Sequence, residues 1–199
     1  VARPRSAGFD LQREQMLALA AQLFASHGYT ATTMQQLADA CGVSKATLYH
    51  YVRDKHDLLA QITRSHVARL EALVAEVEAA EREPRARLEA LILRFMHAYE
   101  RAQHEHRVLT EDVKFLDVTE REAVLAGQRR VVAAFAASIG ALRPDLQGAQ
   151  LGKPLAMLLF GMINWTFTWL RSGGPLTHAR LAPLVTELFL GGLAAVHPR

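Results

Sequence analysis

A chain of 199 residues, half of them hydrophobic and with a formal net charge of +3, can bury the core of one large domain or two small ones. Its single cysteine, Cys41, excludes an internal disulfide and suits a reducing cytoplasm, and no apolar run reaches the roughly 18–20 residues that span a bilayer. Over residues 1–60 the six Lys and Arg stand against five Asp and Glu, so bulk charge makes no case for nucleic acid and the placement of the charges must carry it.

In chain order, no secretory pattern opens the sequence, and residues 1–9 are expected to form a mobile arm bearing Arg3 and Arg5. A first helix is expected from Asp10 to His27, ended by Gly28. Two short helical patterns follow. Met34, Leu37, Ala38 and Cys41 share one helical spacing, with Thr32 or Thr33 placed to cap it. Gly42 permits the positive φ of a sharp turn, Val43 plugs the corner, and Ser44 caps a second helix through His50. In that helix Leu48 points inward while Lys45, Ala46, Thr47, Tyr49 and His50 cover the other side. The pattern is a helix-turn-helix whose second helix fits a major groove. An ordinary helical hairpin in another all-α protein has the same spacing.

Asp54 or Lys55 begins a long helix to about Ala80, with Leu58, Leu59, Ile62, Val67, Leu70, Leu73, Val74 and Val77 on its buried side. At about 1.5 Å per residue it is roughly 39 Å long. A helix over Arg85–Gln103, a polar corner at 104–107, a short helix near Val108–Phe115 and a clear helix over Glu120–Leu142 are expected next. Two final helices, near Gly148–Arg171 and Leu176–His197, are divided by the SGGP of residues 172–175. The fold class read from this order is all-α with about nine helices. A three-helix helix-turn-helix domain at 1–54 precedes a larger helical ligand-binding and dimerisation domain at 55–199.

The penultimate helix is apolar nearly all round, so both of its sides must be covered. One side lines its own subunit. The other, together with the last helix, is expected to meet a second copy across a two-fold four-helix interface through Leu155, Leu158, Met162, Leu184, Leu188 and Phe189. Gly161, Gly191 and Gly192 allow the helices to approach closely.

The stretch LADACGVSKATLYHYVRDK closely resembles the DNA-binding segment of the TetR/AcrR family of transcriptional regulators. The likeness extends upstream through Met16, Ala20, Leu23, Phe24, Gly28 and Tyr29 and covers roughly residues 10–60, with Val52 standing where many relatives carry Phe. The resemblance implies a homodimeric, ligand-responsive regulator, a repressor in direction, bound to a palindromic double-stranded operator. Lys45 and Thr47 then reach base edges or phosphates, with Ser44 and Ala46 on the same approach. Tyr49, His50 and Tyr51 contact the sugar–phosphate backbone, and Thr33, Gln35 and Lys55 lie where further phosphates are anchored.

The segment FGMINWTFTWLRSGGPL at 160–176 is similar to the subgroup that senses acyl- or aryl-coenzyme A thioesters. Such an effector needs a dry tunnel and cations for its phosphates. Phe95, Tyr99, Phe115, Asn164, Trp165, Phe167 and Trp169 are candidates for the tunnel and Arg107 for a phosphate. The alternative is a regulator of an efflux system that senses a cationic or hydrophobic drug, for which Glu111, Asp112 and Asp117 speak. His97, Glu100, His104 and His106 invite a metal, but no Cys joins them and no H-E-x-x-H pattern exists, so no metal or cofactor is expected. No phosphate-binding glycine loop or nucleophile elbow appears, and the chain is read as a cytoplasmic binding protein rather than an enzyme or a membrane protein.

Overall fold

A computed structural model describes residues 7–170 and 174–198; Arg3 and Arg5 of the arm, and Ser172 and Gly173 of the SGGP divide, lie outside the described residues. All regular structure among the described residues is helical. The order is α1 (Ala7–His27), α2 (Met34–Ala40), α3 (Lys45–Tyr49), α4 (Lys55–Ala80), α5 (Pro84–Arg101) and α6 (Gln103–Glu111). A 3-10 turn (Val113–Phe115) follows, then α7 (Val118–Leu142), α8 (Pro144–Gly148), α9 (Gly152–Asn164), α10 (Thr166–Trp169) and α11 (His178–Ala195). Among the described residues no helix is long and apolar enough to cross a membrane.

The chain divides into two compact units. Unit one holds residues 1–66 and 104–124; unit two holds residues 67–103 and 125–199. In unit one, Met16, Ala20 and Phe24 of α1, Leu37 of α2, Leu48 of α3 and Leu58, Leu59 and Ile62 of α4 are all buried. The amphipathic stripe of α1 thereby becomes the floor on which the two short helices sit. The segment after α6 belongs to the same unit. Phe115 stacks on Tyr29 with ring centroids 5.2 Å apart, and the Asp117 N–H donates to His56 Nε2 at 3.0 Å.

Unit two is built around Phe95, Phe135 and Phe160, whose rings meet edge to face with centroids 4.8–6.2 Å apart. Leu88, Leu91 and Ile92 of α5 and Ala182, Val185 and Leu193 of α11 enclose them. Within this unit α7 passes α4 closely: a Cβ on Gly127 would stand 2.4 Å from Val67 Cγ1, so the helix pair needs the missing side chain.

Three sequence expectations change. Residues 7–9, read as arm, are helical, and Phe9 stacks on Tyr51 at 4.5 Å. The polar corner at 104–107 is helix: the chain turns at Ala102, and α6 buries His106, Val108 and Leu109 on one face, so its charged residues form the outer face rather than a loop. The continuous helix expected near 148–171 is two, α9 and α10, and a short helix, α8, precedes them. Pro144 starts α8 at its first position, where no N–H is needed. Gln150, at φ 58, ends α8 as the Leu151 N–H returns to the Leu146 carbonyl at 2.9 Å. α9 then stops at Asn164.

Candidate functional site

The helix pair of unit one is fixed at each end by its own side chains. Thr33 caps α2: its Oγ1 accepts from the Gln36 N–H at 3.2 Å, while Gln36 Oε1 accepts from the Thr33 N–H at 2.8 Å. At the other end Gly42 lies at φ 65, the Gly42 N–H returns to the Asp39 carbonyl at 3.1 Å, and the Val43 N–H returns to the Ala38 carbonyl at 3.1 Å. That closure satisfies the orphan carbonyls of α2 and needs the left-handed residue that glycine supplies. Ser44 then caps α3, its Oγ accepting from the Thr47 N–H at 3.0 Å. With Leu48 buried at 1%, α3 has one orientation.

The outer side of α3 carries Lys45, Ala46, Tyr49 and His50, all exposed. Thr47 is half-buried and its hydroxyl shares a hydrogen bond with Ser44 Oγ at 2.8 Å. Tyr51 is also half-buried: it lies against Phe9, and its hydroxyl donates to Gln12 Oε1 at 2.6 Å. Gln35 is exposed, and its amide donates to Asp39 at 2.8 Å. Lys55 serves the scaffold. Its ammonium donates to the carbonyls of Tyr29 and Thr32 at 2.8 Å and of Thr30 at 3.2 Å, tying the α1–α2 connection to the start of α4.

The start of α4 is reinforced by two carboxylates. Asp54 Oδ1 accepts from the Asp57 N–H at 2.7 Å, and Asp57 Oδ2 accepts from the Arg53 N–H at 2.9 Å. Burial alone would raise the Asp57 carboxyl, but the Arg53 N–H, the Gln61 side chain and the Arg53 guanidinium together outweigh it and hold Asp57 below the usual carboxylate range.

The residues singled out for a small molecule fall in both units. Arg107 and Phe115 belong to unit one, where Arg107 pairs with Glu111 at 3.0 Å and Phe115 packs on Tyr29. Phe95, Tyr99, Asn164, Trp165, Phe167 and Trp169 belong to unit two. Phe95 is fully buried, its ring 6.0 Å from that of Tyr99, and the Tyr99 hydroxyl donates to Asn164 Oδ1 at 2.8 Å. Trp165 and Trp169 are 62% and 51% exposed, and Trp165 lies 6.1 Å from Phe167.

The histidines do not gather. His106 meets His66 at 3.4 Å, His97 and His178 both face Glu100 at 3.9 Å, and His104 is exposed. Among the described residues no group of three or more His, Cys, Asp or Glu is arranged to hold a metal.

Of the residues expected at a two-fold contact, Leu158, Leu184 and Leu188 stand 55–69% exposed. Leu155 and Phe189 turn into the core of unit two, and Met162 is half-buried. Sequence reasoning missed Met157, which is 52% exposed on the same helix as Leu158. It stands beside Leu158 and one turn before Gly161, a signal present in the spacing but masked by a helix apolar on every side. No Cβ built on Gly161, Gly191 or Gly192 would meet anything within 4 Å.

A family model described as bacterial regulatory proteins, tetR family, matches residues 16–62, and one described as tetracyclin repressor-like, C-terminal domain, matches residues 81–193. Over 200 residues the chain is 28% identical to the HTH-type transcriptional repressor KstR2 of Rhodococcus jostii, covering 96% of this chain and 96% of that protein. A TetR-family transcriptional regulator from Bordetella parapertussis superposes with a TM-score of 0.86 at 32% identity, over 94% of this chain and 98% of that one. AibR, solved in complex with isovaleryl coenzyme A and operator DNA, shares the fold with a TM-score of 0.78 at 24% identity, over 89% of this chain and 97% of that one.

Proposed function

The chain belongs to the TetR family of bacterial regulatory proteins, and from that premise we propose a ligand-responsive repressor that leaves a palindromic operator when a small molecule binds. One observation carries the reading: a doubly capped helix pair buries Leu37 and Leu48 and turns Lys45, Ala46, Tyr49 and His50 outward. Side chains on that face meet base edges and phosphates when α3 lies in a major groove. The helix-turn-helix region is assigned to DNA and residues from 55 onward to effector and partner.

The active form is a homodimer. Leu158, Leu184 and Leu188, with Met157 beside them, form an apolar face on α9 and α11 that a second copy covers, and the open glycines let the helices close together. In the dimer the two α3 helices are held about one helical turn apart, roughly 34–36 Å. Residues of α4 and of α7 belong to both units, which makes these helices covalent routes by which effector binding reaches the DNA-reading residues. The effector must bind the DNA-incompetent form more tightly, and a coupling of about 1–3 kcal/mol gives roughly 5–150-fold release.

The effector class is an acyl- or arylacyl-coenzyme A thioester. The aromatic segment around Asn164 and Trp165 supports it, and the AibR complex holds a thioester and an operator on this same fold. The protein acts in the cytoplasm, where DNA and coenzyme A meet. Fluorescence anisotropy on the palindrome upstream of the chain's own gene tests the whole reading. Micromolar phenylacetyl-coenzyme A should release the DNA while phenylacetate does not; release by cationic drugs and not by thioesters would transfer the protein to efflux control. Thr47→Ala with Lys45→Ala should abolish binding in a folded dimer, and unchanged affinity would reject α3 as the reading helix.

A further inference from the structure

α9 ends at Asn164 and α10 begins at Thr166, with neither proline nor glycine at the break. The break is held locally. The Thr166 hydroxyl donates to the Ile163 carbonyl at 2.8 Å, and the Trp165 N–H turns back to the same carbonyl. The amide end of Asn164 is set by Tyr99. Tyr99 is 3% exposed with its ring against that of Phe95, and burial raises the pKa of its hydroxyl far above the usual phenol value, so it remains a protonated donor. It donates to Asn164 Oδ1 at 2.8 Å.

With Oδ1 engaged, the Asn164 N–H2 is left as a pair of donors. It has no hydrogen-bond partner among the described residues, and the residue as a whole is half-buried. One turn before it on α9 stands Phe160, whose ring packs against that of Phe95; after it in the chain come Trp165, largely exposed, and Phe167, half-buried. A neutral amide in aromatic surroundings suits an uncharged acceptor, because a carboxylate or phosphate drawn out of water needs a cation beside it.

We propose that the Asn164 carboxamide, oriented by Tyr99, donates to a neutral carbonyl oxygen of the effector, that of the acyl thioester. This rests on the thioester reading above and names the atom that is recognised. Coenzyme A also carries amide carbonyls in its pantetheine arm, so the test must separate the two sources.

The full-length protein is titrated with phenylacetyl-coenzyme A, with S-phenethyl-coenzyme A, in which a methylene replaces only the acyl carbonyl, and with free coenzyme A, reading tryptophan emission. The wild type should bind the thioester about tenfold more tightly than the thioether, the size of one neutral hydrogen bond. Asn164→Leu should lose that preference. Asn164→Asp, which keeps the acceptor for Tyr99 and removes the donors, should lose it too, and Tyr99→Phe should reduce it while leaving Asn164 in place. Folded variants that keep the tenfold preference overturn the proposal, as does a wild type that binds thioester and thioether equally. Equal weakening of all three compounds by Asn164→Leu assigns the amide to pantetheine and also overturns it. If none of the three binds, the thioester reading itself falls, and this inference with it.

Discussion

The Lys55 ammonium lies 2.8 Å from the Tyr29 carbonyl and 4.6 Å from the centre of the Tyr29 ring, so one cation both closes the α1–α2 connection and covers an aromatic face. With the carbonyls of Thr30 and Thr32 it fills the three donor positions of an ammonium. Lys55→Met should therefore act through stability. Removing charge-assisted bonds to two part-buried carbonyls and one exposed carbonyl costs about 2–3 kcal/mol, seen as a lower urea midpoint. The salt slope of operator binding should be unchanged in the folded fraction. A full-stability variant with a shallower slope would make Lys55 a phosphate anchor instead.

Lys45 presents the opposite case. It is exposed at the first turn of α3, and no protein group pairs with it among the described residues. Lys45→Ala should leave the melting temperature within about 1 °C, since surface changes away from caps are near neutral. It should reduce the slope of log affinity against log salt by about 0.9 per subunit, one phosphate contact. Anisotropy titrations between low and moderate salt read this directly.

The cap of α3 predicts a different signature. Ser44→Ala removes the acceptor for the Thr47 N–H and the partner of the Thr47 hydroxyl. A loss of about 1 kcal/mol is expected. Operator affinity should fall at every salt concentration with the slope preserved, because orientation of α3 is lost and no charge is. Ser44→Asp, which caps equally well but adds an anion facing phosphates, should restore stability and not affinity.

Much of this was legible in the chain, for identifiable reasons. Thr33, Gly42 and Ser44 are residues whose local chemistry nearly dictates their geometry, and the helix pair appears where they place it. The family resemblance places Lys55 at a phosphate; that its ammonium folds onto the carbonyls of residues 29–32 depends on tertiary contact, which no local pattern carries. The break at Asn164 was invisible for a related reason. IleAsnTrpThr holds no Pro or Gly to force a break, only weak helix formers, and the Tyr99 hydroxyl that engages Asn164 lies 65 residues away. Likewise the even apolarity of α9 concealed that Leu155 faces the core and Leu158 the outside. Periodicity can choose a face only when one face is polar.

Acid should weaken unit one through Asp57. Its carboxyl is held below the ordinary value, so the folded state binds a proton less readily than the unfolded chain. The sign follows: the contribution is complete above the unfolded value of about 3.9 and disappears as pH falls through the folded value. Asp57→Asn should flatten the loss of stability below about pH 4 while lowering stability at neutral pH. Urea melts at pH 3, 4 and 7 give the comparison. Parallel curves for variant and wild type would show that the bond to the Arg53 N–H is not what acid removes.

The apolar face of α9 and α11 gives the last expectation. Leu158 and Leu188 are 66% and 69% exposed, which strands two large aliphatic side chains in water unless something covers them. Each leucine fully buried contributes about 1.5–3 kcal/mol, and a two-fold axis counts each residue twice. Leu158→Glu with Leu188→Glu should therefore yield a folded monomer by analytical ultracentrifugation, with the helical signal retained because neither side chain supports the core of its own subunit. The same variant should bind a half-site and its palindrome with nearly equal affinity, since the gain from engaging two half-sites depends on their being linked. A variant that remains dimeric would place the partner contact elsewhere. A variant that unfolds would mean that the subunit is stable only when paired, and protein concentration would then shift the melting temperature of the wild type.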